Sequence, residues 1–418
     1  MWRASYWLLL WFALPFVLAR LWWRGRQEPR YREHPGERFG FYRAAPKKPV
    51  IWLHAVSLGE TRAAEPLLRA LQQRHPDCDL LITQMTATGR EAAQSLLDGS
   101  AQVAWLAYDY PFAVRRFLRH FRPRLGILME TEIWFHLVAE CGRAGVPLML
   151  ANARMSGRSA RGYAVVAPLV RGALEGLGAV AAQTAEDAER LRSLGARRVE
   201  VVGNLKFDVE PGRESESLAA QFRRWFGGRK VLLAASTREG EEDLLLDALQ
   251  GEPLGDALTV IVPRHPQRFD AVAQLLSARG LKFARRSAGG VVAPDCRVVL
   301  GDSMGEMAAY YRACDVAFIG GSLLAYGGQN LIEACAVGAP VLVGPHTYNF
   351  AQAAESAVAA GAALRAGRAE DVVSLARKLL GDAELRARMG KAGIDFCAAH
   401  RGATQRTLAV CEGLLGRR

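Results

Sequence analysis

A group-transfer site needs a carboxylate that takes a proton, a cation facing developing negative charge, and backbone N–H groups gathered at a helix start. His54-Ala-Val-Ser-Leu-Gly-Glu60 supplies the first and the last of these. It stands where the apolar run Val50–Val56, a buried strand, hands over to a helix. Ser57, Gly59 and the next N–H groups then form a helix N-terminus that favours anions, and Glu60 is a carboxylate able to accept a proton. The same S-x-x-E spacing serves a capping box with Ser57 as the cap, and spacing alone favours that plainer role.

Further candidates stand at other strand exits. Thr83-Gln-Met-Thr-Ala-Thr-Gly89 is a polar exit suited to a sugar or phosphate, although any strand-to-helix loop can look like it. Met129-Glu-Thr-Glu-Ile-Trp134 brings Glu130 or Glu132 to the same rim, and solvated loop glutamates are the plainer reading. Arg154 and Arg158 follow the next strand as candidate phosphate partners. Gly203-Asn-Leu-Lys-Phe-Asp208 carries Lys206, one of only seven lysines. In the second half, Ala235-Ser-Thr-Arg-Glu-Gly-Glu241 opens a helix, and Pro263, Arg264 and His265 end a strand, His265 being equally a structural histidine between prolines. Gly301-Asp-Ser-Met-Gly-Glu306 includes Met304, Gly305 and Glu306. The most specific pattern is the glycine-rich loop from Gly320 to Gly328, running through Gln329 into a helix over Asn330–Val337. Such a loop offers N–H groups to a nucleotide phosphate, and Glu333 one turn in can accept hydrogen bonds from ribose hydroxyls. A structural turn would not need an acidic residue at that offset.

The elements that position these residues alternate. Strands are expected at Val50–Val56, Leu80–Thr83, Val103–Ala107, Leu125–Met129, Pro147–Asn152, Ala179–Gln183 and Val199–Gly203, then at Val231–Ala235, Thr259–Val262, Val298–Gly301, Val316–Gly320 and Pro340–Val343. Helical patterns separate most of them. One places Ala64, Leu67, Leu68 and Leu71 on a single face, and Thr184-Ala-Glu-Asp187 has the form of a capping box. Repeated β–α units predict an α/β chain with parallel, doubly wound sheets and ligands at the carboxyl ends of the strands. The polar stretch Glu210–Ser217 divides it. The expected organisation is a membrane anchor with its basic flank at 1–26, a Rossmann-like domain at 27–208 and a second one at 209–418, with the last helix packing back on the first domain. No G-x-G-x-x-G follows the early strands, which argues against a dinucleotide oxidoreductase.

The chain has 418 residues, half of them hydrophobic, too many for one ordinary core and too apolar for disorder. Its net charge of +12 is lopsided: residues 1–208 hold 29 Lys/Arg against 19 Asp/Glu, and 209–418 hold 25 against 23. An anionic partner therefore faces the first half. Nucleic acid is disfavoured, because no aromatic residues interleave with a basic stripe. Seven scattered cysteines without a C-x-x-C pair argue against disulfides or zinc. Ala4–Ala19 is uncharged and mostly apolar, and extension to Trp23 reaches about 30 Å as a helix, close to a bilayer core. Pro15 would kink it. Trp22 and Trp23 suit the interface, and Arg24, Arg26, Arg30 and Arg32 keep the bulk of the chain on the cytoplasmic side. A cleaved signal or a helix lying in the interface are the rival readings.

Taken together these motifs resemble the bacterial 3-deoxy-D-manno-octulosonic acid (Kdo) transferases. The likeness runs from the anchor to about residue 350, through HAVSLGE, TATG, METEIW, NARMS, GNLKFD, PRHPQRF, GDSMGE and GGQNLIEA followed by GAPVLVGPHTYNF. It implies the GT-B glycosyltransferase architecture, two Rossmann-like domains with a cleft between them. It further implies Glu60 as general base, Glu130 and Lys206 as transition-state stabilisers, and CMP-Kdo as donor held at Pro263-Arg264, Met304-Gly305-Glu306 and Asn330-Leu331-Ile332-Glu333. The acceptor would be the lipid A precursor, on the cytoplasmic face of the inner membrane. Two departures stand out: Gln329 where the family commonly has His, and Phe135-His136 where it has Pro-Asn.

The expected reaction is inverting transfer without metal or cofactor. The D-x-D at Asp77 and Asp79 precedes a strand, at the wrong end of the sheet for a site. Another GT-B enzyme acting on a UDP-sugar, such as an epimerase or hexosamine transferase, would share the glycine-rich loop but not HAVSLGE or METEIW. A membrane-tethered binding protein without turnover is the non-enzymatic alternative.

Overall fold

The computed structural model describes residues 2–210, 212 and 214–416. Met1 of the expected anchor, Pro211 and Arg213 of the expected connection, and Arg417–Arg418 lie outside the described residues. The chain forms two compact units, Met1–Val209 with His400–Arg418, and Glu210–Ala399.

The first unit is built on strands β1 (Val50–His54), β2 (Asp79–Gln84), β3 (Gln102–Trp105), β4 (Pro123–Met129), β5 (Leu148–Ala153), β6 (Ala179–Ala182) and β7 (Val199–Val201). They form one sheet in the order β3-β2-β1-β4-β5-β6-β7, parallel throughout. The chain winds outward from β1 through β3, then returns to β4 on the other side, so the order reverses between β1 and β4. A crevice forms at the carboxyl ends of strands at such a reversal. β1 is buried along its whole length, as a parallel strand covered on both faces must be. Trp52 donates its indole N–H to Thr83 Oγ1 at 2.7 Å, which satisfies the one polar atom of a wholly buried ring.

Helix Leu58–Arg74 buries Ala64, Leu67, Leu68 and Leu71, the expected stripe. The same core receives Leu408, Val410, Cys411 and Leu414 from the last helix, Ala403–Leu415. The final residues of the chain thus complete the first unit.

The second unit repeats the plan with β8 (Val231–Thr237), β9 (Leu258–Pro263), β10 (Phe283–Arg285), β11 (Val298–Leu300), β12 (Val316–Ile319), β13 (Val341–Val343) and β14 (Ala363–Arg365). Their order is β10-β11-β9-β8-β12-β13-β14, again all parallel. Its reversal falls between β8 and β12.

The strands expected from sequence are present with end shifts of one or two residues, and β10 and β14 add to them. The helix expected over Asn330–Val337 is shorter, Ile332–Ala336: Asn330 Oδ1 accepts the Ile332 N–H at 3.1 Å, and this turn replaces the first helical residues. At Thr184 only half the expected capping box forms. Its hydroxyl accepts the Asp187 N–H at 3.0 Å and donates to Asp187 Oδ2 at 2.8 Å, while Asp187 Oδ1 accepts from Met155 N at 2.8 Å and not from the N–H of the cap. An N-terminal helix, Trp2–Gln27, runs unbroken through Pro15. Its Ser5–Arg26 stretch is long and apolar enough to cross a membrane. All seven cysteines are free thiols.

Candidate active site

In the first unit β1 delivers the HAVSLGE segment to the reversal point. Ser57 caps the following helix, its Oγ accepting the Glu60 N–H at 3.3 Å. Glu60 folds back on the same turn: Oε2 accepts from Val56 N at 2.8 Å and Oε1 from the Ser57 hydroxyl at 2.9 Å. This is a capping box displaced by one residue, since the reciprocal donor is the N–H before the cap. The plainer reading of the motif is therefore present in the fold.

Capping does not exhaust what Glu60 is. Hydrogen bonds to a carboxylate lower its pKa, yet burial, reinforced by Glu130, raises Glu60 to about 7 against those two bonds. A carboxylate poised near neutrality can accept a proton at the pH where it works. Glu132, bonded by the Trp134 indole N–H at 2.8 Å, is also raised, first by burial and then by Glu130.

Glu130 follows β4 in the left-handed region, at φ 58°. Backbone strain of this kind in a non-glycine residue collects at functional sites. Lys206 Nζ donates to Glu130 Oε1 at 2.8 Å, and each side chain is about one-fifth exposed. Lys206 rides on a short turn that two asparagines hold. Asn152 Oδ1 accepts from Leu205 N and Asn204 Oδ1 from Lys206 N, both at 3.0 Å. Asn152 is itself left-handed at φ 52° and wholly buried. Asp208 closes the turn by accepting from Gly402 N at 2.7 Å and Thr404 N at 2.6 Å, so it caps the last helix.

His54 lies beneath this group. Burial lowers it to about 4, so the ring is neutral, and Nδ1 faces the Thr83 carbonyl at 3.0 Å. The TATG loop is stitched to the strand exit: Thr86 donates to the Val56 carbonyl at 2.8 Å and accepts the Gly89 N–H. Its hydroxyl supports the Glu60 turn and caps its own helix.

In the second unit the candidates stand at the carboxyl edge of the sheet, each after its own strand. Pro263 ends β9, and Arg264 N donates to the Thr237 carbonyl at 3.0 Å. His265 is held below its ordinary range by burial and then by Arg238, Arg264 and Arg268, which gather positive charge at this exit. Met304 is exposed and Gly305 takes φ 84°. The Glu306 carboxylate accepts from Arg286 at 2.9 and 3.2 Å and from Ser303. Asn330 Nδ2 donates to Glu333 Oε1 at 2.9 Å. Leu331 and Ile332 are core residues, so a ligand would meet their backbone and not their side chains. Burial, and then Glu333, raise the phenol of Tyr311 well above its ordinary value.

The glycine-rich loop has an organiser that sequence reading left without a role. Glu241, wholly buried, accepts the N–H groups of Arg238 at 2.8 Å, Gly321 at 2.6 Å and Leu323 at 2.9 Å. It ties the exit of β8 to the exit of β12. Two of the loop's N–H donors are thus already engaged by the protein. Gly320 is required for the same approach, since a Cβ there would stand 2.6 Å from the Ser236 carbonyl. Asn349 Nδ2 donates to the Tyr326 carbonyl at 2.9 Å, holding the far side. The signal for Glu241 was two adjacent glutamates at a helix start; its partner Glu242 is spent on Arg268 and Thr237.

Comparison with known proteins gives the family and the fold. A family model for 3-deoxy-D-manno-octulosonic-acid transferase matches residues 33–209, and one for glycosyl transferases group 1 matches 292–396. A 3-deoxy-D-manno-octulosonic acid transferase of Bordetella pertussis is 46% identical over 99% of this chain and all of its own length. The Haemophilus influenzae enzyme of the same name is 35% identical, with both chains fully covered. The chain belongs to the Kdo transferase family. It is accordingly a glycosyltransferase. Its fold is shared at low identity by a glycosyltransferase from Rickettsia africae (TM-score 0.61, 12% identical, 89% of this chain and 100% of that one). A UDP-GlcNAc 2-epimerase from Neisseria meningitidis is similar (TM-score 0.60, 16% identical, 87% and 100%).

The departures of this Kdo transferase from the family pattern have structural settings. Gln329 packs beside Gly321, within the glycine-rich loop. Phe135 and His136 meet Tyr6 of the N-terminal helix, with ring centroids 5.0 and 5.1 Å away. Their backbone remains a helix start, because Asp109 accepts from His136 N at 3.1 Å and Leu137 N at 2.8 Å.

Proposed function

We propose that this Kdo transferase moves Kdo from CMP-Kdo to the lipid A precursor lipid IVA, with inversion at the anomeric carbon, in lipopolysaccharide synthesis at the cytoplasmic face of the inner membrane. The observation that carries the reading is Glu60, a carboxylate at the sheet reversal that burial and Glu130 raise to about 7. As the acceptor hydroxyl oxygen bonds to the anomeric carbon of Kdo, Glu60 takes its proton. The bond from that carbon to the phosphate oxygen breaks, and CMP leaves with the electron pair. A positioned base of this kind contributes about 10²–10⁴-fold.

Glu130 and Lys206 stabilise the charge that moves during the step. The donor is held by the second unit: Arg264 beside Arg238 and Arg268 meets its phosphate, the backbone of Met304-Gly305-Glu306 and Asn330-Leu331-Ile332 lines its cytidine, and Glu333 accepts from the ribose. Ser57 and Gly59 present the helix start to the anionic substrate. The proposed transfer is metal-independent, with Arg264 and the helix starts facing the leaving phosphate. The excess of basic residues in the first half suits a bisphosphorylated acceptor and an anionic membrane surface.

The test is incubation of the full-length protein in lipid with CMP-Kdo and tetraacyl lipid A precursor in EDTA, with the lipid product weighed. Mass increments of Kdo are expected. No increment, with or without magnesium, while UDP-GlcNAc is turned over, would overturn the reading.

A further inference from the structure

The N-terminal helix touches the first unit at two stretches, Tyr6 to Leu14 and Leu21 to Gly25, with residues 15–20 exposed between them. Tyr6, Leu10, Ala13, Leu14, Leu21 and Gly25 form its half-buried or buried stripe, at helical spacing. Tyr6 donates to Asp109 Oδ2 at 2.8 Å, and Tyr110 donates to the Leu10 carbonyl at 2.6 Å. Farther along, Leu21 packs with Tyr31 and Trp105, and Arg32 donates to the Trp22 carbonyl at 2.9 Å. From Tyr6 to Gly25 the axis runs about 28 Å, nearly the thickness of a hydrocarbon core.

A helix standing across the bilayer would drag this docking face to the same depth. The face carries a helix, Pro111–Phe121, that turns Arg115 and Arg119 to solvent. Ionised side chains at that depth are costly. The opposite flank of the N-terminal helix is apolar and open, with Leu9, Phe12, Phe16 and Trp23 exposed. That surface does not stop at the helix. The Trp11 ring lies 6.4 Å from Phe112, and the Arg116 guanidinium stands over the rings of both Phe112 and Phe41, which are exposed. Arg26 sits over Trp22 at 3.9 Å. Apolar rings interleaved with arginines are what the boundary between acyl chains and anionic headgroups accepts.

We propose that helix Trp2–Gln27 lies in the plane of a single anionic leaflet instead of spanning the bilayer, and that Phe112 and Phe41 enter the same interface. The inference rests on the membrane location proposed above. Leu9, Phe16 and Trp23 are heptad-spaced on the open flank, which makes them the reporters of choice. Spin labels on single cysteines at these three positions, in the full-length protein with Cys78→Ser, are read on phosphatidylcholine vesicles containing phosphatidylglycerol. In-plane binding gives three similar, shallow depths, about 5–10 Å below the headgroups. A spanning helix spreads them over about 20 Å along the bilayer normal, and that spread overturns the proposal. Phe112→Glu separates the readings again: vesicle affinity is expected to fall roughly tenfold with burial of that ring lost, and unchanged affinity in the folded variant counts against it. Failure of the wild-type protein to float with vesicles at all would sink the membrane location itself, a result distinct from labels that bind but differ in depth.

Discussion

Lys206 Nζ lies 2.8 Å from Glu130 Oε1, and the backbone of Glu130 is left-handed at φ 58°. The pair joins residues 76 apart in sequence. One partner is placed by strained backbone and the other by two asparagine side chains, so neither is held by the ion pair alone. Each support can be tested by removing it separately.

Glu130→Ala and Glu130→Gly both remove the carboxylate, and both are expected to lower kcat by at least tenfold. They differ in backbone freedom. Glycine adopts the left-handed conformation without the penalty of about 1–2 kcal/mol that a Cβ brings, so the Gly variant should be the more stable by about 1 kcal/mol. Denaturant titration of the two variants measures this, and equal stability would remove strain from the description.

Glu60→Gln separates catalysis from capping, because glutamine also completes a capping box. Activity should fall about 10²–10⁴-fold with the helix start intact. In the parent enzyme kcat/KM should fall tenfold per pH unit below about 7, where Glu60 becomes protonated. The stability sign is opposite to that of a salt-bridged carboxylate. A raised folded pKa means the native state binds the proton more tightly, so stability is lost as pH rises from the ordinary carboxylate value of 4.5 to about 7. The Glu60→Gln variant lacks that loss, and its melting temperature should gain on the parent's between pH 5 and pH 8.

Glu241→Gln presents an amide N–H where only acceptors fit. Three backbone donors lose part of their partner, and the glycine-rich loop loosens. KM for CMP-Kdo should rise several-fold with a smaller change in kcat, alongside a stability loss of about 1–3 kcal/mol. Steady-state kinetics with saturating acceptor reads the split; a fall in kcat alone would assign Glu241 elsewhere.

Asp208→Ala uncaps the last helix and frees one end of the Lys206 turn. A lost cap costs about 1 kcal/mol. The informative readout is hydrogen exchange, expected to quicken at Gly402 and Thr404, and activity should drop because the turn bearing Lys206 loses an anchor. Asp208→Asn, which keeps an acceptor, should restore much of both.

Much of this was legible in the sequence because parallel strands buried on both faces read as apolar runs, and β1, β4 and β12 are such runs. The three-residue edge strands β10 and β14 were not: Phe283-Ala-Arg285 is only half-buried and carries no apolar run. Glu60 could be named from its spacing, but its two roles could not be separated there, since capping and catalysis ask for the same residue. Glu241 and Asp208 stood within quoted motifs but received no role, because each acts on backbone N–H groups distant in sequence, at Gly321 and Gly402, and a helix-start pattern does not name such a partner.

The last helix, Ala403–Leu415, belongs to the core of the first unit although the whole of Glu210–Ala399 intervenes. During synthesis the ribosome must therefore deliver the second unit before the first can close. At about 5–20 residues per second the wait is roughly ten to forty seconds. Throughout it, Leu67, Leu71 and Met149 face a groove that Leu408, Cys411 and Leu414 have yet to fill. The nascent chain is thus a natural client for chaperones, and a stop codon late in the message would harm the half of the protein that was made first.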